Sequence, residues 1–244
     1  MKNEAMDTIK KYFGKETSML FLGERDTAQE IADFFTKGDR YVGDDPDMAI
    51  LFNGICLAVE HFEFDCYKNN RSGSENRKES SRIERAFDSI PAREMNKLFH
   101  DQINGESSYE QYIQNITKTF EKHYVRIEEY KRHLQELRIF DENTPIKMAF
   151  LIEDSSPLGA KTYDADGRQY PIVLSQSKEF LALMRNNTDV DYVIACSYDG
   201  AKDVIWLIVQ EKLEEYETNS VDYANMSFMN IEPQVLGFHI EIQK

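Results

Sequence analysis

The chain has 244 residues, 29 basic against 44 acidic side chains, a formal charge of −15, and 41% hydrophobic and 12% aromatic residues. A chain of this length buries roughly 70–75% of its unfolded surface without metal or disulfide staples, so a disordered chain is excluded and one domain over residues 1–244 is expected. The acidic balance argues against nucleic-acid binding over the general surface, which depends on neutralising phosphates with Lys and Arg, while leaving room for a local basic site.

Residues 1–140 carry 21 basic and 26 acidic side chains, and residues 141–244 carry 8 and 18, so the first part is the better place for an anionic ligand. Cys56, Cys66 and Cys196 lack metal-type spacing, and three thiols fit a reducing cytoplasm better than a disulfide framework. No signal-peptide pattern and no run of roughly 18–20 apolar residues is present, so a cytoplasmic protein without a membrane partner is expected.

Asp26-Thr27 followed by AQEIADFFTKG predicts a capped amphipathic helix from about Thr27 to Lys37, with Ile31, Phe34 and Phe35 inward and Gly38 ending it. Next comes DPDMAILFNGICLAVEHFEFD, residues 45–65, which reads as a hairpin closed by a two-residue turn at Asn53-Gly54. That turn pairs Phe52 with Ile55, Leu51 with Cys56, Ile50 with Leu57, Ala49 with Ala58, Met48 with Val59, and Asp47 with Glu60. Residues 68–85 hold six basic and three acidic side chains and hardly an apolar one, the composition of an exposed loop.

From Ser107 to Leu137, Ile113, Ile116, Phe120, Tyr124, Ile127, Tyr130, Leu134 and Leu137 recur at helical spacing and predict one long helix; a homodimer seam along it is the alternative. A strand is expected at Ile146–Ile152, a helix at Ser175–Arg185, strands at Asp191–Ser197 and Val204–Val209 around Asp199-Gly200, and a last strand at Leu236–Ile242. The expected class is therefore mixed α/β (α+β), a central mixed sheet flanked by helices.

Asp47 and Glu60 are the acids that need most explanation, because facing carboxylates repel unless a cation intervenes, and oxygen donors suit Mg²⁺. Turn capping by Asp47 and a solvent-facing Glu60 is the structural alternative. His61, Glu63 and Asp65 fall on the opposite face as a second, weaker group. Glu153-Asp154 closes a strand, where turn capping is the simpler role. Cys196 reads as an inert core thiol. No P-loop, dinucleotide fingerprint, GxSxG elbow or zinc spacing occurs.

Pro46-Asp47, an apolar strand, Asn53-Gly54, a second apolar strand and Glu60 together resemble the PD-(D/E)xK nuclease family. The resemblance covers about 20 residues, or about 40 with the preceding helix. It implies a restriction-endonuclease-like fold, with Asp47 and Glu60 as catalytic and metal-binding acids. It also implies Glu30 as a third metal-binding acid on the first helix, and Mg²⁺, or Mn²⁺ in its place, as cofactor. Two residues after Glu60 the family carries a lysine, and this chain has Phe62. Lys68 or Lys78 of the basic loop is then the candidate replacement. Lys68, Arg71, Arg77 and Lys78 are the candidate nucleic-acid contacts, for DNA or RNA. The implied activity is metal-dependent hydrolysis of phosphodiesters. The alternative is a non-catalytic acidic interaction or scaffold protein with a nuclease-like fold and a protein partner.

Overall fold

Turn chemistry and period-two patterning organise the centre of the molecule. In the computed structural model, which describes residues 4–13, 20–22, 25–67, 69–70, 73–74, 107–138, 140–156, 160–198 and 203–228, Asn53 and Gly54 adopt φ of 49° and 76°. These left-handed values close a two-residue turn between β3 (Met48–Phe52) and β4 (Ile55–Phe64). The register is the expected one from Phe52–Ile55 through Met48–Val59. The ladder stops there, one pair short of Asp47–Glu60.

Ahead of the hairpin lie α1 (Glu4–Phe13), β1 (Leu20–Leu22), α2 (Arg25–Lys37) and β2 (Asp39–Val42). α2 buries Ala28, Ile31, Phe34 and Phe35, the spacing of one helical face. Gly38 ends it, its N–H donating to the Phe34 carbonyl at 3.1 Å. A Cβ at Gly38 would fall 2.5 Å from Ile50 Cγ2 and 2.7 Å from that carbonyl oxygen, so glycine is what lets the helix end lie against β3.

Downstream of the hairpin come the short pair β5 (Asn69–Asn70) and β6 (Gly73–Ser74), then α3 (Tyr109–Tyr124), α4 (Ile127–Glu136) and β7 (Ile146–Asp154). They are followed by β8 (Lys161–Tyr163), β9 (Gln169–Pro171), α5 (Lys178–Asn186), β10 (Tyr192–Tyr198), β11 (Asp203–Val209), α6 (Leu213–Thr218) and β12 (Ser227–Phe228). The main sheet has seven strands in the order β1-β11-β10-β7-β4-β3-β2. β4, β7 and β10 run parallel to one another, β3 runs antiparallel to β2 and β4, and β11 runs antiparallel to β10 but parallel to β1, so the sheet is mixed. Helices cover both faces: α3, α4 and α5 pack with Ala58, Phe62, Phe150 and Ile152 on one side, and α1 and α2 with Val59, Leu151 and Ile194 on the other. Covered twice, β4 carries only one exposed residue, Glu63.

The expected single long helix is corrected to two. α3 ends at Tyr124, the Arg126 N–H turns back to the His123 carbonyl at 3.1 Å, and α4 restarts at Ile127. This tightened turn leaves Val125 79% exposed and lets both helices follow the twisted sheet. Ile116, Phe120, Ile127, Tyr130 and Leu134 are buried in the chain's own core, so the stripe offered as a dimer seam is already covered. The remaining strands and the helix after residue 175 occur close to the expected bounds, with β7 running on to Asp154 and α5 beginning at Lys178. Lys68, Arg71, Arg77, Lys78, Arg82 and Arg85, the turn at Asp199-Gly200 and the strand expected at Leu236–Ile242 lie outside the described residues. Cys56, Cys66 and Cys196 are buried thiols outside any disulfide, and burial pushes those of Cys56 and Cys66 up to about 12. Among the described residues no helix is long and apolar enough to cross a membrane.

Candidate functional site

Where β3 begins, the chain bends after the cis Asp45-Pro46 bond, and two hydrogen bonds latch the acids together. The Asp47 N–H donates to Glu60 Oε2 at 3.3 Å, and the His61 N–H donates to Asp47 Oδ2 at 2.8 Å. Glu60 is only 4% exposed and points into the layer beneath α3 and α4. There its Oε1 accepts from Tyr130 Oη at 2.7 Å and lies 2.7 Å from His123 Nδ1. The two contacts come from either side of the break between α3 and α4, His123 from the last turn of one helix and Tyr130 from the first turn of the next.

Asp47 titrates well above an ordinary carboxylate, at about 6. Burial is the main cause, the nearby Glu60 carboxylate adds to it, and the bond from the His61 N–H works against it. The Tyr130 hydroxyl is pushed up by burial and by donating to Glu60, so it stays a donor. Arg126 lies 5.0 Å over the Tyr130 ring and binds the Asp45 carboxylate, while His133 Nδ1 donates to the Asp45 carbonyl at 2.6 Å. Arg126 and His133 thus hold the residues just before the acid pair.

Glu60 fixes His123 through Nδ1, which leaves Nε2 as the proton-accepting nitrogen, and Nε2 makes no hydrogen bond among the described residues. Phe62 stacks on His123 with 5.0 Å between ring centroids and 11° between planes, and meets Phe150 edge-on. The apolar ring therefore serves as a platform for the imidazole. Sequence reasoning missed His123 as a partner of Glu60, although a signal was present. In the register 116, 120, 123, 127, 130, 134, an imidazole occupies one place in an otherwise apolar stripe, which calls for a polar partner on the facing layer.

Glu30 is not brought to this site. It sits on α2, across the sheet, where its charge acts on Lys147 and Tyr192. Glu153 and His61 form a second polar group beneath α1. Thr8 Oγ1 donates to Glu153 Oε2 at 3.0 Å and lies 3.1 Å from His61 Nε2, and Lys11 binds Glu153 Oε1. Burial opposes ionisation of Glu153, but the contacts with His61, Lys11 and Thr8 outweigh it and bring the carboxyl down to about 2. Asp154 does close a turn, accepting from the Ser156 N–H at 2.9 Å, with Tyr112 Oη donating to its other oxygen at 3.1 Å. Burial holds this acid up at about 6 despite those bonds, and Asp65 adds to the rise.

Among the described residues no group of three or more His, Cys, Asp or Glu side chains is arranged to hold a metal ion. Two adjacent carboxylates are still compatible with Mg²⁺, which keeps several waters and is commonly bound through one or two carboxylates. Comparison with family models, curated proteins and solved structures finds no match to the chain.

Proposed function

We propose that this chain is a nuclease-like protein whose hydrolytic centre is the Asp47–Glu60 pair with His123. The observation that carries the reading is the latch itself: two acids 13 positions apart are held side by side at the start of a hairpin, with an imidazole fixed on one of them. A helix before the hairpin and a mixed sheet covered on both faces agree with the resemblance noted in the sequence.

Asp47 and Glu60 would hold Mg²⁺, and a bound divalent cation supplies an activated water and neutralises charge on a phosphodiester. His123 takes the water's proton at Nε2, in place of the lysine whose position Phe62 occupies. Glu60 keeps the imidazole in the required tautomer, and Tyr130 anchors Glu60. Lys68, Arg71, Arg77 and Lys78 are proposed to contact the phosphates of DNA or RNA.

One observation favours the non-catalytic reading. Glu60 already receives Tyr130, His123 and the Asp47 N–H, which satisfies much of its acceptor capacity without a metal. Incubating the purified protein with labelled DNA and RNA at low salt, with Mg²⁺ or Mn²⁺, separates the two. Hydrolysis that disappears in Glu60→Ala and falls at least about a hundredfold in His123→Gln supports the enzyme. A metal-dependent rise in melting temperature without cleavage leaves the scaffold.

A further inference from the structure

A second site lies at the other end of α3, about 21 Å along the helix from His123 at 1.5 Å per residue. There the first turns of α3 and α5 and the chain running into β12 line an open cavity of about 540 Å³. That volume is in the range of small-molecule sites. Ile113, Met226 and Phe228 give it an apolar lining, and Glu110 and Glu179 are its acidic members.

One wall is rigidly built. Tyr109, 5% exposed, donates from Oη to Glu179 Oε2 at 2.6 Å and lies 2.8 Å from Oγ of the fully buried Ser177. Ser177 in turn accepts from the Phe180 N–H and caps α5. With Oε2 held in this way, Oε1 of Glu179 has no partner among the described residues. An anion finds no welcome here. The N-terminal amides it would need are capped by Ser108 and Ser177, and both acids repel it.

We propose that this cavity binds a small organic cation with an apolar body, a primary arylalkylamine in chemical class, with the ammonium on Glu179 and the hydrocarbon against Ile113, Met226 and Phe228. An ammonium satisfies the remaining carboxylate oxygen, and the aromatic lining suits a cation next to an apolar group. The site is independent of the acid pair at β3.

The test is calorimetric titration of the full chain with three probes of one shape: 4-phenylbutylamine, 4-phenylbutan-1-ol and 4-phenylbutyrate. The amine is expected to bind at least about tenfold more tightly than the alcohol, and the carboxylate more weakly still. Glu179→Gln preserves an acceptor for Tyr109 and is expected to bring the amine down to the level of the alcohol. Ala224→Phe, at an exposed position on the cavity wall, is expected to abolish binding of both with the circular dichroism spectrum unchanged. It also carries the test should Glu179→Gln fail to fold. Equal binding of amine and carboxylate, an amine affinity unchanged in Glu179→Gln or Ala224→Phe, or no saturation by millimolar amine overturns the proposal. The first of these outcomes would trace any binding to apolar contact alone, and the second to the general charge of −15.

Discussion

Asp47 shows how the surroundings of one side chain set its contribution to stability. Its carboxyl rises from 3.8 to about 6 on folding, so between those values the folded state binds more protons than the unfolded chain. Stability is therefore lost as pH rises through about 6. Asp47→Asn keeps an acceptor for the His61 N–H and removes the charge. With EDTA present, urea unfolding at pH 8 should show the variant more stable by about 1–2 kcal/mol, a figure reduced for partial solvent screening. The gain should fade at pH 5, and a gain equal at both values would rule out burial of the charge as its cause. Tyr130→Phe acts in the opposite direction, since it removes a donor from the buried Glu60, and should cost about 1–3 kcal/mol in the same measurement.

At the scale of elements, the site depends on two backbone interruptions. One is Gly38, where α2 stops against β3. Gly38→Ala would drive a methyl group into Ile50 and into the Phe34 carbonyl, and the carbonyl cannot swing away as a side-chain end can. A loss of about 1–3 kcal/mol in denaturant unfolding is expected, with the hairpin amides exchanging faster. The other is the α3–α4 break. A straight helix advances about 100° per residue, so His123 and Tyr130, seven positions apart, share one face, and they reach Glu60 from the two sides of the tightened turn at Val125-Arg126. Nothing in the apolar spacing announces this, because the stripe continues through the break.

For the whole molecule, the seven-stranded sheet joins two cores whose polar groups behave differently. Beneath α3 and α4, burial drives Asp47 toward its neutral form. Beneath α1, the contacts from His61, Lys11 and Thr8 keep Glu153 ionised at about 2. The Glu153 contribution is fully present above pH 4.5 and is lost as pH falls toward 2. Acid unfolding followed by circular dichroism should therefore begin at higher pH for Thr8→Val than for the parent. Hydrogen exchange in α1 should increase first, because Ala5 and Ile9 are the only apolar residues of that helix buried to this extent among those described.

The sequence by itself determined what neighbouring residues decide. The Asn53-Gly54 turn, the hairpin register through Met48–Val59, the buried face of α2, most of the later strands and the mixed α/β class all follow from local turn preference and periodicity. The candidate acids were readable for the same reason, since a known register brings residues 47 and 60 close together. The tertiary structure alone decided the rest. His123 and Tyr130 lie 63 and 70 positions from Glu60, and Thr8 lies 145 from Glu153. Such pairs form only when helices dock on an assembled sheet, where burying a carboxylate requires donors from whichever layer lies opposite. The packing energy that selects those neighbours is spread over both cores, and no local pattern in the chain encodes it.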